Sequence, residues 1–153
     1  MKAVMRALSS AAALALFGMV AFAQGEPLGL ARLTPEELKW SFTPTGAQRA
    51  DLAGDERKPG MYVYRVRFPA NYKVQPHWHP DERVVLVISG TLSVGYGEQF
   101  EEGNLKELPA GSFFTEPPKQ PHFVWAKTGE VIIQVTGMGP SGRTPVPPTG
   151  EKR

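Results

Sequence analysis

Gln75-Pro76-His77-Trp78-His79-Pro80-Asp81-Glu82-Arg83, running into Val84-Val85-Leu86-Val87-Ile88-Ser89-Gly90, is the stretch from which the rest of the chain is read. Side chains alternate across an extended strand, so His77 and His79, two positions apart, share a face. The apolar run Val84–Ile88 suits a strand covered on both sides, and Gly90 permits the tight turn that ends it. His122, the last of the chain's 3 histidines, lies in a second segment where it shares a face with Val124 and Ala126. Three neutral imidazoles from two segments form a donor set for a divalent transition ion, with coordination positions left open. If the two segments pack face to face, the ring nitrogens meet at one point.

Outward from this stretch the chain reads as short strands. In Met61–Phe68, Tyr62, Tyr64, Val66 and Phe68 fall on one face and Val63, Arg65 and Arg67 on the other. Further strands are expected at Trp40–Thr43, Ala47–Leu52, Thr91–Tyr96 and Ser112–Thr115, with Phe123–Ala126 and Val131–Thr136 pairing across the turn 127–130. Thr34-Pro35-Glu36-Glu37 has the form of a short helix start, with a capping threonine and acids facing the helix dipole. With 16 glycines, 15 prolines and almost no helical periodicity, the chain is expected to be an all-β sandwich or barrel spanning 34–140. Residues 24–33 read as a tether and 141–153, rich in Pro and Gly, as a flexible tail.

Residues 1–23 have the composition of a secretory signal: Lys2 and Arg6, an apolar core from Ala7 to Phe22, then Ala21-Phe22-Ala23 as a cleavage site. Export to the periplasm or the medium is the expectation, with no membrane association after cleavage. Lys2 and Arg6 account for the formal net charge of +2, so the remaining chain is neutral. That balance argues against a nucleic-acid partner, which requires a basic surface. With no cysteine, the fold has no disulfide to rely on.

His77-Trp78-His79 … Gly90 and Gly111 … Pro117 … His122 resemble the two motifs of the cupins, small β-barrels of jelly-roll architecture. The resemblance covers about fifty residues by motif and implies that His77, His79 and His122 bind a divalent Fe, Mn, Ni, Cu or Zn ion. The usual fourth ligand in that pattern is a glutamate with six residues between it and the glycine. Arg83 occupies that place here, with Glu82 one position early; either a β-bulge re-aims Glu82 inward as a ligand or the site keeps three histidines. Lys119 replaces a motif glycine, from which a different turn conformation is expected. Around the ion, Tyr62, Tyr64, Phe68, Phe114 and Val124 are candidates for a largely apolar substrate pocket. Glu116 reads as an exposed loop carboxylate that could reach the mouth as a base. Trp78 and Trp125, facing away from the histidines, read as packing residues. The resemblance further implies a metal-dependent, dioxygenase-like enzyme for a small, perhaps aromatic, substrate, or else a non-catalytic binding or sensing module, and a homodimer formed through the sheets.

Overall fold

The computed structural model describes Gly25 and residues 27–147, so the expected leader and the end of the expected tail lie outside the described residues. Pro35–Glu37 form one 3-10 turn, closed where the Thr34 N–H donates to the Glu37 carboxylate at 2.7 Å. Eleven strands follow: β1 (Ser41–Phe42), β2 (Gln48–Ala53), β3 (Gly60–Phe68), β4 (Tyr72–Trp78), β5 (Arg83–Ser89), β6 (Thr91–Tyr96), β7 (Lys106–Pro109), β8 (Phe113–Glu116), β9 (His122–Ala126), β10 (Val131–Gly139) and β11 (Thr144–Pro145).

They form two antiparallel sheets, one in the order β1-β2-β3-β10-β5-β8 and the other β11-β4-β9-β6-β7. Strands adjacent in sequence therefore often lie in opposite sheets. The chain crosses from one sheet to the other between β3 and β4, at the Gly90 turn between β5 and β6, and between β9 and β10. This corrects the expected β9–β10 hairpin: β9 pairs with β4 and β6, while β10 pairs with β3 and β5. Both segments are apolar enough to be flanked on two sides, and a central place in separate sheets buries more of each than a local hairpin would.

The core lies between the sheets. Val85, Val87, Leu92, Val131 and Val135 are all but fully buried, and Tyr64, Phe68, Phe114 and Val124 are buried nearer the histidines. The expectation that Val84–Ile88 is covered on both faces is not met. Val85 and Val87 point inward, but Val84 and Leu86 are 48% and 39% exposed on the outer face, beside Phe113 at 68%.

The segment after β10, expected to be loose, follows a defined path as far as residue 147. The Ser141 N–H donates to the Glu56 carbonyl, Ser141 Oγ donates to the Asp81 carboxylate, and the Val146 N–H donates to the Pro76 carbonyl. β11 adds to the edge of β4, with Thr144 opposite Trp78 and Pro145 opposite His77.

Candidate metal centre

β4 and β9 are hydrogen-bonded neighbours in one sheet, not facing strands of two, and His77 stands directly opposite His122. Their pairing carries an irregularity. Val74 is opposite Val124, yet His77 is opposite His122, so three steps along β4 match two along β9. The extra residue falls at Gln75-Pro76, where proline lacks the N–H that a regular ladder needs. Tyr72 and Val74 face inward before this bulge; an unbroken alternation would turn His77 and His79 outward, and the bulge restores them to the interior.

Glu82 is exposed and stands apart from the histidines, while Arg83 is buried on the inward face of β5. No bulge turns Glu82 toward the histidines, which corrects the expectation of that residue as a ligand. The carboxylate that does approach them is Glu116, at the end of β8 and paired in register with Arg83. Expected as an exposed loop residue, it is 4% exposed. Sequence alternation contained the signal, since Phe114 and Glu116 share a face, but only the pairing of β8 with β5 brings that face over the histidines.

The three imidazoles are buried, with one nitrogen from each lying within 4.8 Å of the others. Ring centroids are 4.3 Å apart for His77 and His122, 5.0 Å for His77 and His79, and 5.4 Å for His79 and His122. Each Nδ1 meets a backbone carbonyl: Gln75 at 2.8 Å for His77, Gly142 at 2.5 Å for His79 and Gln120 at 3.2 Å for His122. A carbonyl only accepts, so Nδ1 carries the proton and the Nε2 lone pair remains. The Nε2 atoms of His79 and His122 are buried without a hydrogen-bond partner. Orphaned lone pairs converging at this spacing fit a divalent transition ion.

Electrostatics agree. Burial, reinforced by the nearby His122, pushes His77 down to about 3; burial and the charge of Arg83 push His79 down to about 4. Both are therefore neutral near pH 7, the form that binds metals. Burial alone would raise the Glu116 carboxyl, but the charge and hydrogen bonds of Arg83 outweigh it and hold the group well below the usual carboxylate range. Arg83 Nε donates to Glu116 Oε2 at 2.7 Å, a second guanidinium nitrogen contacts the same oxygen, and Nη1 donates to the Tyr64 hydroxyl at 3.0 Å.

His77 and His122 open onto a cavity of about 600 Å³ between the sheets. Tyr64, Phe68, Phe114 and Val124 line it. Tyr62 does not. It shares their strand face, but its hydroxyl donates to the Asp81 carboxylate and so fixes the loop between β4 and β5. Burial and that carboxylate raise the Tyr62 hydroxyl far above its ordinary range, keeping it a donor. Cations the sequence did not single out also line the cavity: Arg49 stacks 3.7 Å over the Tyr64 ring, and Arg143 contributes from the segment before β11. Trp125 packs on the outer face of its sheet beneath Lys73, whose amine is 3.9 Å from the ring centroid.

Lys119 has a φ of +59°, a left-handed conformation that glycine adopts most readily, and its N–H donates to the His79 carbonyl at 2.7 Å, which ties this turn to the histidine loop.

A two-sheet antiparallel jelly roll with three histidines turned into its interior is a cupin. The chain belongs to the family described as the ChrR cupin-like domain, whose model matches residues 29–140. Over 112 residues it is 30% identical to a germin-like protein of Oryza sativa subsp. japonica, which covers 71% of this chain and 52% of that protein. The chain thus spans about half the length of that curated relative. Among solved structures, a RmlC-like cupin from Shewanella frigidimarina superposes with a TM-score of 0.59 at 20% identity, covering 73% of this chain and 94% of the other. Oxalate oxidase in complex with the substrate analogue glycolate superposes with a TM-score of 0.53 at 25% identity, covering 68% and 57%.

Proposed function

We propose that the protein is an exported, metal-dependent enzyme, dioxygenase-like, that acts on a small molecule bearing an anionic group on an apolar or aromatic body. The observation that carries this reading is the set of three inward imidazoles, each oriented by a backbone carbonyl, opening onto an apolar cavity with Arg143 at its edge. A divalent transition ion bound by His77, His79 and His122 would supply a Lewis acid and, with a redox-active metal, a site for O₂. Tyr64, Phe68, Phe114 and Val124 exclude water and hold the apolar body of the substrate. Arg143, exposed beside the cavity, attracts its anionic group. The likeness to oxalate oxidase supports a small acid among the candidates.

The test is O₂ uptake by the Fe(II)-, Mn(II)-, Ni(II)- and Cu(II)-loaded protein with a panel of phenols, diketones and small hydroxy acids. Uptake with product formation for one class is expected. Stoichiometric retention of a compound with no turnover by any metal form would replace this reading with a binding module. Export is checked by the mass of the cell-envelope protein, which should begin at Gln24.

A further inference from the structure

The immediate neighbour of the three histidines is a carboxylate on the wrong strand for the motif. The inward position of β5 that the cupin pattern assigns to a glutamate is held by Arg83, 5% exposed, and its cross-strand partner on β8 is Glu116. Glu116 Oε2 is taken up by the Arg83 guanidinium. The other oxygen, Oε1, lies 3.2 Å from His122 Nε2, and Oε2 lies 3.9 Å from His79 Nε2.

The approach of Oε1 to His122 has a particular character. With Nδ1 of His122 directed at the Gln120 carbonyl, Nε2 presents a lone pair, and a carboxylate oxygen presents another. Two such atoms repel unless a positive centre lies between them. They are at contact distance, yet Nε2 has no hydrogen-bond partner, because the pair is not aligned for one. Two ligand atoms each about 2.1 Å from one ion, at angles of about 90–110°, are separated by about 3.0–3.4 Å with their lone pairs aimed at a shared third point. The 3.2 Å separation of Oε1 from His122 Nε2 falls in that interval, while the group of atoms lying within 4.8 Å of one another comprises the three histidines without Glu116.

We propose that Glu116 is the carboxylate ligand of this centre, carried on β8 instead of β5, and that Arg83 is a positioning residue that holds Oε2 so that Oε1 faces the ion. The proposal rests on the three-histidine reading of the site. It explains a sequence that has an arginine where the pattern has an acid: the carboxylate and its place in the interior are both retained, supplied from the neighbouring strand across a registered pair. The ion pair also neutralises Arg83, which would otherwise put a bare cation beside the metal.

The test measures metal binding directly. Purified protein is stripped and titrated with Zn(II) against a chromophoric chelator, and the Co(II) form is read by visible absorption. Glu116→Gln should weaken Zn(II) binding by about tenfold or more and change the Co(II) spectrum. Because that variant also leaves Arg83 without its partner, R83M/E116Q is measured beside it; it removes both charges, and its affinity should remain as low while its melting temperature rises above that of E116Q. The exchange R83E/E116R returns the acid to β5 and should regain affinity. Zn(II) binding within twofold of wild type in both E116Q and R83M/E116Q, with an unchanged Co(II) spectrum, would overturn the proposal and leave Glu116 as a partner of Arg83 alone. If the wild-type chain binds neither ion, the three-histidine reading itself falls, and this proposal with it.

Discussion

An imidazole binds a cation through whichever nitrogen its surroundings leave free, and in this chain the backbone decides the matter three times. Gln75, Gly142 and Gln120 each occupy an Nδ1, so every Nε2 is available. Replacing His122 with Ala should reduce bound metal to well under one ion per chain while leaving the far-ultraviolet circular dichroism of the barrel intact. One ion per chain in that variant, by elemental analysis, would refute the triad. The depressed His77 and His79 also predict an acid sensitivity of the stripped protein. Both bind protons more weakly folded, at about 3 and about 4, than the ordinary histidine value of 6.5. Their contribution is therefore fully present above pH 6.5 and is lost as pH falls toward those values, with a slope of about 1.4 kcal/mol per pH unit for each. Urea unfolding of chelator-treated protein between pH 7 and pH 4 measures that slope. At Arg83, truncation to Ala buries the Glu116 charge without its partner and should cost about 3–5 kcal/mol of unfolding free energy in the same assay. Of the residues in this cluster, the histidines were legible from spacing alone. Glu116 and Arg83 were not, because their roles follow from being opposite each other on β8 and β5.

Among the elements, the bulge in β4 and the segment after β10 shape the site most. Alternation is a strict period of two, so a single inserted residue reverses every side chain beyond it. Pro76 was visible in the sequence, but its effect on His77 depends on the register against β9. The segment from Ser141 to Val146 reads as tail by composition, yet it presents the Gly142 carbonyl to His79 and ties Ser141 to Asp81, the residue that also receives the Tyr62 hydroxyl. A chain ending at Gly139 should keep its sheets but lose about ten- to a hundredfold in metal affinity, since His79 would lose the partner that orients it. Chelator competition on that truncated chain, compared with the full one, reads the loss. Affinity within twofold of the full chain would show that the segment merely lies against the barrel.

For the whole molecule, the outer face of the larger sheet carries an apolar surface: Val84, Leu86, Phe113 and Met138 are 48%, 39%, 68% and 58% exposed. Leu86 is paired with Phe113, so the two form a contiguous cross-strand patch. An exposed apolar patch on a soluble domain marks a contact surface. We propose that the homodimer expected to form through the sheets uses this face. The double substitution L86E/F113E should convert a dimer to a monomer by light scattering without changing the metal content. A wild-type protein that runs as a monomer would remove the proposal.

By itself the sequence determined the all-β class, the short strands and the three histidines as a donor set, because these depend on local periodicity and residue chemistry. Tertiary structure decided which strands became neighbours, and with that the orientation of every side chain whose role depends on a partner far along the chain. Register is a relation between two segments; no single segment contains it. That is why Glu82 and Tyr62 fell outside the site, Glu116 entered it, and a proline-rich tail came to hold a histidine in place.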